Sequence, residues 1–557
     1  MKLELSPSRA AALPIIERRD VGTVRELGRL VALNGSEGTI ACRLIPGDPG
    51  EHWSVGHLIT IVHDNSRLVG VVCDLSAADR RWNDSETNIC YVGIELSGEI
   101  VDDEAGEPVF YRGIRSYPAL GAVAHRIRAD DLKAIYSFRG IQGVEIGRLT
   151  QNQAVPASVS VDELVSRHFA VIGSTGVGKT TAVSMLIKKC LASRPKLRAL
   201  IIDPHNEYAR NFPGISNVLN SDNLELPYWM FKFEEIADII YNGRKPNSDE
   251  LDALFDVIKT AKSQFVASSA SQIASSPLRR QSNGDNAWVS ADTPVPYRVA
   301  DMVHIIEEWL GKLDQRYPRS DLRSLKHRLE TLSRDPRYRF MFGKVVVEDN
   351  MARIISRIFR LPKAGAPVTV MQLAGLPNEV VNSLVSVLAR LAFEITLWSE
   401  GSYEIVVVCE EAHRYIPTDQ SQAFGPTRQA IGRIAKEGRK YGVSLGIVTQ
   451  RPAELDATVL SQCSTMFAMR LANEADKAIV RAAVGVSSAS TIAFLSSIAD
   501  REAIAFGEAI ATPMRMKFGD ARQEIAVAGV DSGPPMAHLD LRKIVCRLRG
   551  EYTGEAS

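Results

Sequence analysis

The residues best equipped for chemistry occupy 173–181 and read Gly-Ser-Thr-Gly-Val-Gly-Lys-Thr-Thr. The pattern G-x-x-x-x-G-K-[ST] is filled at Gly173, Gly178, Lys179 and Thr180. Glycines at 173, 176 and 178 let the backbone turn tightly and aim several N–H groups at one anion. A helix starting near Gly178 adds its positive dipole end. Gly173, Ser174, Thr175, Gly176, Val177, Gly178, Lys179, Thr180 and Thr181 thus form a cradle for a triphosphate. Lys179 is placed to reach the β- and γ-phosphate oxygens, and the Thr180 hydroxyl to ligate Mg²⁺.

Binding is half of the chemistry; hydrolysis also needs an acid for the metal and a group that directs water. The apolar run Ile405–Cys409 ends in Glu410-Glu411-Ala412-His413. Glu410 takes the metal-side position and Glu411 the water-activating one. No N-K-x-D guanine-reading sequence is present, which favours ATP over GTP. Asp203-Pro204-His205-Asn206-Glu207-Tyr208 follows a second apolar run, at the sheet edge where such folds bind ligands. There Asp203 or Glu207 would hold metal, water or nucleophile. His205 and His413 lack metal-ligand spacing and are expected to make structural hydrogen bonds. Thr449-Gln450 ends another apolar run, and the Gln450 amide is suited to register the γ-phosphate. Arg428–Lys440 reads as a helix with Arg433, Lys436 and Lys440 on one face. Arg439 lies off that face and suits a finger that reaches a neighbouring subunit's nucleotide.

These groups need a scaffold. Phe169–Ile172, Ala199–Ile202, Val368–Leu373, Ile405–Cys409, Val443–Val448 and Thr465–Leu471 read as buried strands of a mainly parallel sheet. Intervening helices predict a doubly wound α/β core of the RecA-like P-loop NTPase kind. Residues 20 to 130 instead carry short β-rich segments with turn signals, which predicts a small barrel. Helical periodicity recurs through 245–340, at Leu251, Leu254, Phe255 and Ile258, then Met302, Ile305 and Ile306, then Leu322, Leu325 and Leu329. Ser268–Ala291 reads as a loop. The expected domains are a barrel with linker (1–150), the first part of the core (151–244), a helical insertion (245–345), the second part of the core (346–528) and a tail (529–557).

At 557 residues the chain exceeds a single hydrophobic core. Lys+Arg and Asp+Glu both number 66, so any nucleic-acid contact must come from a local basic surface. Cysteines at 42, 73, 90, 190, 409, 463 and 546 show no C-x-x-C spacing, as expected of reduced thiols in a cytoplasm. The start Met1–Pro7 has no apolar signal core, and no stretch is expected to span a membrane.

Taken together, Gly173–Thr181, Asp203–Tyr208, Glu410–His413 and the run from Ile434 into Thr449-Gln450-Arg451-Pro452 resemble the HerA branch of the HerA/FtsK ring ATPases. The resemblance implies a homohexamer that binds ATP and Mg²⁺ between subunits and moves on duplex DNA through a central channel. It implies a cis cation near the phosphates at Arg167. It also implies a separate effector, such as a NurA-like nuclease, another nuclease or a sirtuin-type NADase, in DNA end processing or antiviral defence. Two positions depart from the family pattern: Glu410 replaces an Asp and Asn206 replaces a Gly. The alternative is a nucleotide-dependent ring scaffold that assembles and activates the effector with little translocation.

Overall fold

A computed structural model describes residues 26–44, 53–78, 87–137, 143–273, 288–312, 316–343, 348–361, 366–419, 424–484, 494–521 and 541–550. The chain divides into two compact units, Met1–Ile135 and Tyr136–Ser557.

The first unit is the expected barrel. Its strands are β1 (Glu26–Asn34), β2 (Glu37–Leu44), β3 (Leu58–His63), β4 (Ser66–Ala77), β5 (Asn88–Asp102), β6 (Pro108–Arg112) and β7 (Val123–Arg126), followed by α1 (Ala129–Tyr136). The order β2-β1-β7-β3-β4-β5 closes through a further β2–β5 pairing, and β6 adds outside β5. Alternating side chains (Leu30, Ile40, Ile61, Leu68, Val92, Ile94) fill the interior. The β3–β4 hairpin turns on Asp64-Asn65, with Asp64 at φ 46°, a left-handed angle that Asp and Asn accept more readily than most residues. Arg67 clamps Asp102 through two bonds of 2.8 and 2.6 Å and the buried Asp131 at 2.9 Å.

The second unit begins with β8 (Gly143–Leu149), β9 (Pro156–Ser160), α2 (Val161–Ser166), β10 (His168–Ile172), α3 (Lys179–Ser193), β11 (Leu197–Asp203) and β12 (Ser216–Leu219). Helices follow: α4 (Phe233–Tyr241), α5 (Ser248–Ile273), α6 (Val299–Gly311), α7 (Arg319–Arg334), α8 (Arg339–Phe342) and α9 (Met351–Phe359). The sheet resumes with β13 (Val368–Gln372), α10 (Asn378–Trp398), β14 (Glu404–Cys409), α11 (Gly425–Glu437), β15 (Val443–Thr449), α12 (Ala457–Leu460) and β16 (Cys463–Ala468). Last come α13 (Glu474–Val484), β17 (Glu502–Gly507), β18 (Met514–Phe518) and α14 (Leu541–Arg549).

One sheet runs β12-β13-β11-β14-β15-β10-β16-β17-β18-β8-β9. The six apolar runs are its parallel heart, β13-β11-β14-β15-β10-β16, with β12 beside β13. Beyond β16 the pairing turns antiparallel through β17, β18, β8 and β9. Residues 143–150, expected with the barrel, therefore belong to the second unit, because β8 zips onto Met516–Phe518. Of the loop expected at Ser268–Ala291, residues up to Ile273 continue α5, and 274–287 lie outside the described residues, with Arg279-Arg280 among them.

The expectation of no membrane-length apolar stretch needs correction. Within α10, Val380–Trp398 is long and apolar enough to cross a bilayer, at a mean hydropathy of 1.6, but 78% of it is buried inside the fold. Its polar residues are also spoken for. Ser386 donates to Glu235 at 2.6 Å, and Arg390 reaches Glu235 at 3.2 Å and the Met230 carbonyl at 2.9 Å. This buried group pins α4 against α10, which is the behaviour of a core helix.

Candidate functional site

The sequence 173–181 forms the turn between β10 and α3. Gly178 precedes α3 at φ 101°, a value reserved in practice for glycine. At Gly173 a Cβ would sit 2.8 Å from that of Met469, so only glycine lets β16 approach the loop. The Gly173 N–H donates to the Thr449 carbonyl at 3.2 Å and the Ser174 N–H to that of Arg470 at 2.9 Å. Lys179 is buried, and its Nζ donates to the Ser174 carbonyl at 3.1 Å. The Thr175 hydroxyl donates to the Gln450 side-chain carbonyl, which brings the end of β15 onto the loop.

Glu410 and Glu411 leave β14 two strands away and are both buried. Glu410 accepts from the Tyr208 hydroxyl. Burial lifts its pKa to about 7, while the Tyr208 bond and the Lys179 charge oppose the rise and Glu411 and Glu207 add to it. Glu411 holds a left-handed φ of 52°, a conformation that costs a non-glycine residue about 1 kcal/mol or more. Its Oε2 accepts no hydrogen bond among the described residues. His413 lies 3.3 Å from that carboxylate and hydrogen-bonds Thr449 Oγ1 at 3.1 Å. Burial holds this imidazole below its ordinary value, so it is neutral near pH 7.

Three assignments change. Asp203 is not placed to meet a metal: it is fully buried, and its two oxygens accept the backbone N–H groups of His205 (3.3 Å), Glu207 (3.1 Å) and Tyr208 (3.0 Å). Its carboxylate is consumed in folding its own loop, with Asn206 at φ 59° in the bend. The exposed Glu207 takes that place, accepting from Thr180 Oγ1 at 2.8 Å. Arg167 also moves out of the site. It precedes the first residue of β10, whereas the loop follows the last; at a rise of about 3.3 Å per residue, roughly 20 Å of strand separates it from Gly173. Glu163, at 3.2 Å, and Glu508 bind its guanidinium instead. Third, the helix read over Arg428–Lys440 is α-helical only to Glu437 and tightens into a 3₁₀ turn at Gly438–Lys440. Arg439 in that turn is exposed and pairs with no carboxylate among the described residues. It stands before β15, at the sheet edge opposite Gln450 and its own loop. Arg433, grouped with the basic face, lies 4.1 Å above the Phe393 ring.

The donor set suits a hard cation. Thr180 Oγ1, Glu207 and Glu410 offer oxygen donors beside the loop, a set that fits Mg²⁺, which is commonly held by one or two carboxylates together with substrate phosphates. Among the described residues no group of three or more His, Cys, Asp or Glu side chains converges to hold a metal alone. A cavity of about 470 Å³ elsewhere, lined by Gly147, Met185, Lys189, Phe518 and others, contains none of these groups.

Glu410 supplies a stability prediction. Its folded value lies above the ordinary 4.5, so the folded state holds an extra proton between pH 4.5 and about 7, and stability falls as pH rises through that window. Glu410→Gln removes the buried charge. It is expected to stabilise the nucleotide-free protein at pH 8 by up to about 3 kcal/mol, with the gain vanishing near pH 4.5. Denaturation midpoints at pH 8 and pH 4.5 measure this; the same shift at both would discard the explanation.

A family model described as helicase HerA, central domain, matches residues 144–392. The chain is similar to the DNA double-strand break repair helicase HerA of Pyrococcus furiosus, 26% identical over 454 residues that span 73% of this chain and 75% of that protein. Similarity to the HerA helicase of Sulfurisphaera tokodaii is 23% over 495 residues, 85% of this chain and 89% of that one. Among solved structures, VirB4 of Thermoanaerobacter pseudethanolicus aligns at a TM-score of 0.47 and 16% identity, over 68% of this chain and 98% of its own. The plasmid coupling protein TrwB in complex with ADP and Mg²⁺ aligns at 0.42 and 10%, over 74% and 95%.

Proposed function

We propose that this chain, similar to HerA helicases through its central domain, is a HerA-type ATPase that works as a homohexameric, ATP-driven translocase on double-stranded DNA. The observation that carries the reading is the meeting of Lys179, Glu410, Glu411 and Gln450 around one phosphate cradle. Lys179 and the loop N–H groups bind the β- and γ-phosphates. Thr180, Glu207 and Glu410 would hold Mg²⁺, which supplies charge neutralisation at the phosphate oxygens. Glu411, with an unclaimed carboxylate oxygen, orients water and takes its proton. Gln450, tied to Thr175, is positioned to register the γ-phosphate. Arg439, in the turn at the end of β15 opposite its own loop, acts on the neighbouring subunit's nucleotide. The motor works in the cytoplasm with a separate effector, a nuclease or a sirtuin-type NADase, in DNA end processing or anti-phage defence.

Duplex DNA is expected to stimulate ATP hydrolysis, and its binding to weaken steeply as salt rises, because Lys and Arg release counterions from the phosphates they neutralise. ATPase rates measured with and without duplex over a salt series test this. A rate indifferent to DNA at every salt concentration counts against translocation.

One observation favours a second reading. The chain carries 66 Lys+Arg against 66 Asp+Glu, a balance that leaves no global attraction to DNA and suits a nucleotide-dependent scaffold that assembles the effector. If Lys179→Ala rings still switch the effector on, the scaffold reading replaces the motor.

A further inference from the structure

The cradle has a neighbour that no motif singles out. Arg501, in the turn before β17, donates its backbone N–H to the Val177 carbonyl at 2.8 Å. Its stem lies over the loop: a Cβ built on Gly178 would come 2.9 Å from Arg501 Cγ. The acidic residues on either side are already committed, Asp500 to Arg470 at 2.7 Å and Glu502 to Arg515 at 2.9 Å. Arg501 itself is exposed and pairs with no carboxylate among the described residues. Its φ is 64°, a left-handed value at which glycine is free of strain and arginine is not. The backbone therefore favours glycine at this position, while the sequence keeps an arginine whose stem lies against the phosphate cradle.

We propose that the Arg501 guanidinium binds the phosphates of the nucleotide held by its own subunit, the role of cis cation that Arg167 is too distant to fill. The inference rests on the ATP-site reading above. Arginine's planar fork matches two phosphate oxygens at once, and the main-chain bond to Val177 fixes where that fork starts. The contact is made in the bound ground state, so it governs affinity more than turnover.

The test is titration of the full chain with a fluorescent ATP analogue, using wild type, Arg501→Ala, Arg501→Gly and Arg501→Lys, with Lys179→Ala as control. Arg501→Ala and Arg501→Gly are expected to weaken binding roughly 10- to 100-fold, the range for losing a hydrogen bond to a charged group. In ATPase assays the loss should appear as raised KM with kcat changed only a few-fold. Arg501→Lys should recover part of the affinity. Arg501→Gly should melt no lower than wild type, since it relieves the backbone, so weaker binding cannot be blamed on unfolding. Wild-type affinity in Arg501→Gly overturns the proposal. If instead Lys179→Ala binds as tightly as wild type, the ATP-site reading itself fails and takes this inference with it.

Discussion

Glu411→Gln is expected to lower ATP turnover about 10²- to 10⁴-fold, the usual contribution of a positioned general base, while nucleotide still binds. Gln keeps the size and the acceptor oxygen but cannot take a proton from water. The environment of Glu411 makes this a clean substitution. The residue is buried beside a neutral His413, and its Oε2 carries no hydrogen bond among the described residues, so the fold loses little. The left-handed backbone stays as it is, because Gln and Glu suffer alike at φ 52°. Steady-state ATPase beside nucleotide titration separates the effects. A variant that turns over within a few-fold of wild type would remove Glu411 from the chemistry.

The second large effect concerns Arg439. Arginine fingers in phosphate-transfer enzymes contribute 10³ or more, so Arg439→Ala is expected to cost roughly 10³-fold in turnover with little change in stability. The turn that carries it is tightly built: a Cβ at Gly438 would lie 2.3 Å from the Val443 carbonyl. The guanidinium itself is exposed, and truncating it leaves no buried partner behind. Arg439 precedes β15 whereas Gln450 follows it, so the strand separates Arg439 from the cradle of its own subunit. Rings mixed from Arg439→Ala and Lys179→Ala subunits make the distinction. With a trans finger, activity survives only where an intact Arg439 meets an intact neighbouring cradle; activity that tracks each subunit's own Arg439 sinks the trans assignment.

The parallel strands were legible because strands buried on both faces must read as unbroken apolar runs, as Ile201–Ile202 and Val406–Val408 do. The cradle was legible because its geometry tolerates few residue types. β8, Gly-Val-Glu-Ile-Gly-Arg-Leu, was not: glycine and charge interrupt it, and only its partners on β18 and β9 make it a strand. Asp203 misled because two carboxylates four residues apart look equivalent in a sequence. The Pro and Asn that follow Asp203 were the available sign that its side chain would turn back onto its own backbone. Arg501 had no such sign, since its place follows from a φ angle and a bond to Val177 that span more than 300 residues of chain.

The bond from Arg501 to Val177 has a mechanical reach. The carbonyl of Arg501 in turn accepts the Phe518 N–H at 2.9 Å, and Phe518 faces Gly147 on β8. β8 is the first strand after the barrel in the chain. Two main-chain hydrogen bonds and one strand pairing thus tie the floor beneath the nucleotide to β8 through Arg501 and Phe518, so that the anchoring of the loop depends on how β8 is zipped onto β18.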